Sequence, residues 1–233
     1  MRKVIVTDLT RFANQKLVCT AMIDIESGEC IRPMPYFSSQ ACAKYNIQPG
    51  AIFTGNFTFN DNAEKPHVED ATYSNLRFHG PSSSNDFRNI LINSLSQSVS
   101  NGFNYVFDNN QKHIPIADKV DISIITIAVD PSNILIHEDK YKPGKIKLSF
   151  TDKIGHSFSY LSITDRGFHD YAMSHQHDGT LELVQNFISR QNEVYLRVGL
   201  SRAFQISDRN GYWLQVNGIY TFPDFNREIR SYM

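Results

Sequence analysis

The chain has 233 residues, which is enough for one large domain or two small ones. Hydrophobic residues make up 41% of the sequence and charged residues 20%, a balance that fills a hydrophobic core and excludes a globally disordered chain. The formal net charge is −1 at pH 7, so the protein carries no general basic excess. Any contact with nucleic-acid phosphates therefore depends on a local basic patch.

The first half of the sequence predicts strands around a single helix. Apolar segments bounded by turn residues predict strands over residues 3–7, 17–25, 30–33, 51–59 and 68–76. The helix is predicted by apolar residues at helical spacing, which are Phe87, Ile90, Leu91, Leu95 and Val99. We expect Asn85 or Asp86 to cap its start and Asn101-Gly102 to end it.

The second half predicts more strands than helices. Residues 103–119 are polar and irregular, and strands follow over 120–129, 134–137, 145–151, 157–163, 193–204 and 212–221. Short helices are predicted from Asp165 to about residue 173 and over 180–189. Thr-Asp pairs at 7–8, 151–152 and 164–165 each close a predicted strand, and we expect them to form turns or caps.

The order of these elements favours a mainly β fold with a few short helices. Strands and helices do not alternate regularly, which argues against a doubly wound parallel sheet and favours small barrels or sandwiches. We expect two units, residues 1–110 with an inserted helix and residues 111–233, because the composition changes between 103 and 119. A single intertwined domain is the alternative.

Cysteine usage and hydropathy indicate a cytoplasmic protein. Cys19, Cys30 and Cys42 are odd in number, form no C-x-x-C pair and follow no signal peptide, so we expect reduced thiols. The longest apolar run, near 122–129, is too short to span a bilayer, and we expect no contact with a membrane.

No recognisable catalytic motif occurs in the sequence. There is no P-loop and no G-x-S-x-G motif, and no base stands in a pattern that would activate one of the cysteines. We therefore expect no catalytic residue and no cofactor.

The densest polar cluster spans residues 169–178. Its imidazole and carboxylate groups are suitable ligands for a divalent metal, the candidates being His169, His175, His177 and Asp178. Their spacing does not match H-E-x-x-H or a zinc signature, and histidines also suit a solvated helix C-terminus. We predict no metal here, and keep a metal-dependent hydrolase or nuclease as an alternative function.

Two C-terminal strands each predict one apolar face and one mixed face. Val194, Leu196, Val198 and Leu200 alternate with Tyr195 and Arg197, and Leu214 and Val216 alternate with Trp213, Gln215 and Asn217. Proteins that bind single strands use such mixed surfaces, because rings stack on bases and arginine contacts phosphate. The alternative is that the rings cover a barrel end and the arginine pairs with a carboxylate.

Four segments resemble the dual OB-containing domain family of bacterial proteins. They are Val4-Ile5-Val6-Thr7-Asp8 to Arg11, the hairpin with Gly28-Glu29-Cys30-Ile31-Arg32-Pro33, residues 148–165, and residues 196–202 together with 213–224. The resemblance spans nearly the whole chain. It implies two OB-like barrels and the sensing of nucleic acid or a nucleotide, with a role in bacterial defence, and it supplies no catalytic residue.

The leading hypothesis is a non-enzymatic module that binds single-stranded nucleic acid or a nucleotide. The expected phosphate contacts are Arg32, Arg197 and Arg202, and the expected base or ring contacts are Trp213, Gln215, Asn217 and Tyr220. Besides the metal-dependent enzyme, a third hypothesis is a protein-interaction subunit of a larger complex, whose activity belongs to a partner protein.

Overall fold

The computed structural model describes residues 1–12, 14, 16–226 and 228–230. The first part of the chain forms a barrel. Its elements are β1 (Arg2–Arg11), β2 (Leu17–Asp24), β3 (Cys30–Met34), β4 (Phe37–Ser38), α1 (Ser39–Lys44), β5 (Ala51–Phe59) and β6 (Asp70–Pro81). The strands follow the order β1-β5-β6-β3-β2, and β1 also pairs with β2, which closes the barrel. The β3–β6 pairing is parallel.

The remaining elements form a second sheet with helices packed on it. The helices are α2 (Ser84–Asn93), α3 (Val99–Phe103), α4 (Arg166–His177) and α5 (Leu181–Ser189). The strands are β7 (Leu95–Ser96), β8 (His113–Pro115), β9 (Ile124–Val129), β10 (Ile134–Glu138), β11 (Ile146–Thr151), β12 (Ser157–Ile163), β13 (Glu193–Leu200), β14 (Phe204–Ile206) and β15 (Arg209–Phe222). Short 3-10 helices occupy Pro131–Asn133 and Glu228–Arg230.

The second sheet repeats the strand order of the first barrel. Its path is β10-β11-β12-β15-β13-β9-β7, and the β12–β15 pairing is parallel. The strands β9 and β10 follow one another across Pro131–Asn133 and behave as one broken strand. Its first half pairs with β13 and its second half with β11, just as β1 pairs with both β5 and β2. The predicted mainly β fold with two OB-like units is therefore confirmed.

Three hydrophobic cores hold this arrangement together. Residues such as Val4 and Met22 fill the first barrel, and a larger group that includes Leu148 and Leu196 fills the second. A third core lies between the barrels, where Ile5 and Ile23 of the first pack with buried side chains of α2, β13 and β15. The mixed face predicted for β13 is therefore buried, because it packs against the other barrel.

Some predicted elements needed correction. The predicted helix over 87–99 is wrong in length: α2 ends at Asn93, and its start is capped by Ser83, whose hydroxyl accepts a bond from the Asp86 amide. The turn predicted at 7–8 is also wrong, because β1 continues to Arg11 through a bulge between Val6 and Asp8. The turn and cap roles of Asp152 and Asp165 are confirmed by their bonds to backbone amides.

We propose that the chain divides into two units, with a border earlier in the sequence than residue 110. Val99, Phe103 and Phe107 belong to the core of the second barrel, and β7 pairs with β9. We therefore propose a border ahead of Leu95, because side chains that share a core are expected to fold together.

Candidate functional site

The predicted phosphate ligand Arg197 lies inside the protein. Its Nε donates to the Asp8 carboxylate of the first barrel at 2.9 Å, and its Nη1 donates to Thr126 Oγ1 at 2.8 Å. Its Nη2 lies 3.3 Å from the Sγ of Cys30. The residue is 1% exposed, and its pKa is raised by the Asp8 charge against the effect of burial. This guanidinium joins the two barrels and does not reach the surface.

The other two arginines share the carboxylate of Asp70. Arg32 is buried, bonds this carboxylate through Nε and lies 3.8 Å from Glu69. Arg202 is half-exposed, and its Nη2 donates to the second Asp70 oxygen at 2.6 Å and to the Tyr36 hydroxyl at 3.4 Å. Arg202 is therefore the one of the three predicted arginines that a ligand reaches in this conformation.

Two of the four predicted ring and base contacts are also internal. Tyr220 is 1% exposed, and its hydroxyl donates to the Thr7 carbonyl of the first barrel. Asn217 is buried, and its Oδ1 accepts a bond from the Thr164 hydroxyl at 2.9 Å. The Tyr220 hydroxyl joins the two barrels, whereas Asn217 joins β15 to the segment that follows β12 within the second barrel.

Trp213 and Gln215 lie on the outer side of β15. The indole of Trp213 stacks on His113 with ring centroids 4.9 Å apart and planes at 24°, and its second ring neighbour is the exposed Phe204. Gln215 pairs with Ser162 of β12, which pairs with Lys147 of β11. Gln215, Ser162 and Lys147 therefore form one row across the outside of the second barrel.

This outer surface carries a cluster of cationic and aromatic side chains. We call it the lysine–tyrosine face, and it consists of Lys112, His137, Lys140, Tyr141, Lys142, Lys145, Lys147 and Tyr160. It covers the outside of β10–β12 and the loop that joins β10 to β11. In OB folds, ligands usually bind on the face of the second and third strands, beside the loop that joins the first two strands and the loop that joins the last two.

Tyr160 lies at the centre of the lysine–tyrosine face. Its ring centroid is 4.7 Å from that of His137 and 5.8 Å from that of Tyr141. The ammonium of Lys140 lies 5.2 Å from the ring centroid and that of Lys112 lies 5.9 Å away, within the range of cation–π attraction. The face thus combines positive charge with stackable rings.

The backbone of Tyr160 adopts an unusual conformation to place the ring there. Leu148 faces Leu161 and Phe150 faces Phe158, so β12 contains one extra residue between these pairs. Tyr160 lies in this bulge at φ +57°, where its amide donates to Ser149 Oγ at 3.1 Å. Such a φ costs a non-glycine residue about 1–3 kcal/mol, and bulges often redirect a side chain at a functional site.

The acidic groups beside the face are used to shape its loop. The Asp139 carboxylate accepts a bond from the Tyr141 amide at 2.9 Å, and the Glu138 carboxylate accepts one from Gly144 at 2.6 Å. Asp139 also lies 3.9 Å from the Lys147 ammonium. These bonds hold the loop that displays Lys140 and direct both carboxylates toward backbone amides of that loop.

Burial is the main influence on the pKa values of two lysines of the face. It lowers the pKa of Lys112, with Asp139 opposing the shift and Arg209 adding to it. Burial also lowers the pKa of Lys147, where Asp139 again opposes the shift and the charges of Lys112, Lys145 and Lys142 add to it. A bound anion would favour the charged form of both lysines.

The corresponding face of the first barrel packs against the second barrel. Cys30 and Arg32 of β3 point toward the second barrel, where Arg32 contacts the Ser123 hydroxyl at 3.3 Å and Cys30 contacts Arg197. The Glu69 carboxylate accepts bonds from the Ser123 amide and hydroxyl at 2.6 and 2.8 Å. The first barrel thus uses this face as an interdomain surface.

The predicted histidine cluster does not form a metal-binding group. Over residues 1–12, 14, 16–226 and 228–230, no three His, Cys, Asp or Glu side chains lie close enough together to hold an ion. His169 contacts Arg11 and Asp170, and His175 Nδ1 lies 2.8 Å from the Thr180 hydroxyl. His177 and Asp178 are exposed at the end of α4.

Sequence reasoning missed the lysine–tyrosine face. The segment Asp139-Lys140-Tyr141-Lys142-Pro143-Gly144-Lys145 contained a signal, because it places three lysines and a tyrosine in seven residues of a near-neutral chain. Tyr160 and Lys112 carried no such signal, since strand pairing alone brings them beside this loop.

The strand order, with its parallel pairing of the third and last barrel strands in both sheets, defines a protein built from two OB folds. The family described as "Dual OB-containing domain" matches residues 3–219, and the chain belongs to this family. No curated protein matches the chain.

A solved structure of a replication protein A heterotrimer bound to ssDNA is similar to this chain at 12% identity and a TM-score of 0.37. The alignment covers 97% of this chain and 49% of that chain, so this protein spans about half the length of its match. Separately, among the described residues, no helix is both long and apolar enough to cross a membrane.

Proposed function

We propose that the protein binds single-stranded nucleic acid on the lysine–tyrosine face of its second barrel. The observation that carries the proposal is Tyr160, which is held in a left-handed backbone conformation with its ring between the ammonium groups of Lys112 and Lys140. Core packing gives no reason for a strained, half-buried tyrosine among lysines. A ring held beside cations is suited to stack on a base of a single strand.

The roles of the individual groups follow from their positions. Lys140, Lys142 and Lys145 project from the loop and are proposed to contact phosphates, while Tyr160 and Tyr141 stack on bases. Of the residues singled out in the sequence, we retain Arg202, Trp213 and Gln215 as ligand contacts because they lie on the surface. For Arg32, Arg197 and Tyr220 we propose a structural role in joining the barrels, and for Asn217 we propose a structural role inside the second barrel.

The chemistry of the face favours single strands over duplexes. Duplex binding relies mainly on a broad array of phosphate contacts, and the net charge of −1 argues against such an array. Exposed rings stack on bases that are not already paired, whatever their sequence. A free nucleotide offers one base and few phosphates, so we expect it to bind more weakly than a strand.

The cellular setting belongs to the same proposal. The three cysteines are free thiols in the structure, which suits the reducing cytoplasm of a bacterium. The family resemblance supports a role in bacterial defence. Plaque counts of phages on host cells with and without the gene test that role, and equal counts across a broad phage set would contradict it.

Fluorescence anisotropy of labelled oligonucleotides tests the binding proposal. We expect the native protein to bind a single strand more tightly than its duplex, with an affinity that falls steeply as salt rises. Replacing Lys140, Lys142 and Lys145 with Gln should weaken binding and flatten the salt dependence by about 0.7 log units for each lost phosphate contact.

Lys3→Gln is the matched control, because Lys3 is an exposed lysine on β1 of the first barrel. This substitution should change neither the affinity nor the salt slope. Tighter binding to duplex than to single strand, or a triple variant that binds like the control, would refute the proposal.

A further inference from the structure

A groove of about 430 Å³ lies at the junction of the two barrels, beside the lysine–tyrosine face. We call it the junction groove. Its lining includes Arg11, Phe12, Lys145, Lys147, Thr164 and His169. The first two residues belong to the first barrel and the others to the second, so neither barrel forms this groove alone.

Backbone bonds fix the two sides of the groove relative to each other. The Arg11 amide donates to the Thr164 carbonyl at 2.9 Å, and Thr10 forms a β-bridge with Asp165. The end of β1 is thereby attached to the segment that follows β12. The exposed guanidinium of Arg11 contacts the His169 ring, so side chains of the two barrels are neighbours in a defined geometry.

The side chains that line the groove are more basic than acidic. Arg11, Lys145 and Lys147 carry positive charge, His169 adds an imidazole, and none of the described lining side chains is a carboxylate. Three acidic groups lie beside the groove: Asp139 is 3.9 Å from the Lys147 ammonium, Asp170 is 3.3 Å from His169 Nδ1, and Glu138 accepts a bond at 2.6 Å from the amide of Gly144 in the lining. The Asp139 carboxylate also accepts a bond from the Tyr141 amide.

The groove continues the lysine–tyrosine face without a break. Lys145 and Lys147 belong to both, and the hydroxyl of Ser162, which accepts a bond from the Lys147 ammonium at 3.0 Å, lines the groove. At the far side Phe12 packs against Tyr36, with ring centroids 4.9 Å apart. A single strand that leaves the lysine–tyrosine face in this direction therefore meets the cations of the groove first and then the rings of Phe12 and Tyr36.

We propose that the junction groove binds the sugar–phosphate backbone of a strand that continues from the lysine–tyrosine face onto the first barrel. This inference rests on the proposed function, since it describes where the same ligand goes. It assigns Arg11 to phosphate binding and makes the site a product of both barrels. The first barrel then has two tasks: it buries its usual ligand face against the second barrel, and it extends that barrel's site with the end of β1.

The length dependence of binding tests the inference. OB folds contact about 4–16 nucleotides each, so homopolymer single strands from about 4 to about 20 nucleotides cover both possibilities. Arg11→Gln should leave the affinity for the shortest strands unchanged and weaken binding of the longest several-fold. The salt slope for the long strands should fall by about 0.7, the loss expected for one phosphate contact. Arg11→Lys should restore most of the affinity.

Arg77→Gln is the matched control, because it removes one exposed arginine from β6 of the first barrel. Thermal melts should show that both variants fold like the native protein. The groove assignment is overturned if Arg11→Gln binds strands of every length as the control does, or if it loses affinity equally at all lengths. In both cases the proposed function stands. If the native protein binds no strand of any length, the proposed function itself fails.

Discussion

The carboxylate of Asp8 in the first barrel lies 2.9 Å from the Nε of Arg197 in the second, and both side chains are almost fully buried. Removing one partner of such a pair leaves an uncompensated charge inside the protein. Arg197→Met should therefore lower the free energy of unfolding by about 3–5 kcal/mol, and adding Asp8→Asn should recover part of that loss. Urea denaturation of the two variants measures both effects. A stable Arg197→Met protein that no longer binds single strands would return Arg197 to the ligand site.

Replacing Tyr160 with glycine should lower the affinity for a single strand without lowering the stability of the protein. Glycine adopts positive φ without strain, so Tyr160→Gly should melt at the same temperature as the native protein or higher. The same change should cost about 1–3 kcal/mol of affinity for a single strand, the usual contribution of one stacked base. Tyr160→Phe is the control and should keep most of the affinity. Native affinity in Tyr160→Gly would show that the ring does not contact the ligand.

Trp213, the only tryptophan in the sequence, is half-buried in a stack with His113 and Phe204. We expect Trp213→Ala to reduce single-strand affinity by about 1–3 kcal/mol. Its stability loss should stay below the roughly 3–5 kcal/mol typical of a fully buried ring. Tryptophan emission of the native protein should be quenched when a single strand is added. Emission that does not change on saturating binding would place the ligand elsewhere.

His67 should make the protein less stable in mild acid. Burial and the charges of Arg202 and Arg32 lower the pKa of His67 to about 3, whereas the same group in an unfolded chain titrates near 6.5. Below pH of about 6.5 the unfolded chain therefore binds a proton that the folded protein excludes, and stability falls by at most about 1.4 kcal/mol per pH unit.

The comparison of His67→Phe with the native protein checks this effect. Phenylalanine keeps a ring against Tyr212 and removes the proton site. Thermal melts at pH 7 and pH 5 should show a smaller shift for His67→Phe than for the native protein. His177→Gln, which alters an exposed histidine, should shift as the native protein does. Equal shifts for all three proteins would contradict the assignment.

The elements that the sequence predicted well are those with a local signal. Strand β5 was predicted over 51–59, its observed extent, because alternating Phe53, Gly55 and Phe57 sit between clear turn residues. The cap of α4 by Asp165 and helix α5 were predicted for the same reason. The length of β1 was missed, since what keeps residues 8–11 extended is pairing with β2 across the barrel.

The candidate site was harder to predict than the fold. The structure places Trp213 and Gln215 at the surface of an alternating strand, but the same kind of reasoning also selected Arg197 and Tyr220, which the other barrel covers. An alternating pattern identifies two faces and does not say which one meets solvent. That distinction depends on the packing of the barrels through contacts such as Asp8–Arg197 and Tyr220–Thr7, which join residues far apart in the sequence.

The most direct test of the central claim is to map where a bound single strand touches the protein. A strand that carries photoreactive thymine analogues is crosslinked to the native protein, and the modified peptides are identified by mass spectrometry. We predict crosslinks on Tyr160 and Tyr141 and on the stack that contains Trp213, all on the second barrel. Crosslinks confined to the exposed strands β5 and β6 of the first barrel would contradict the account.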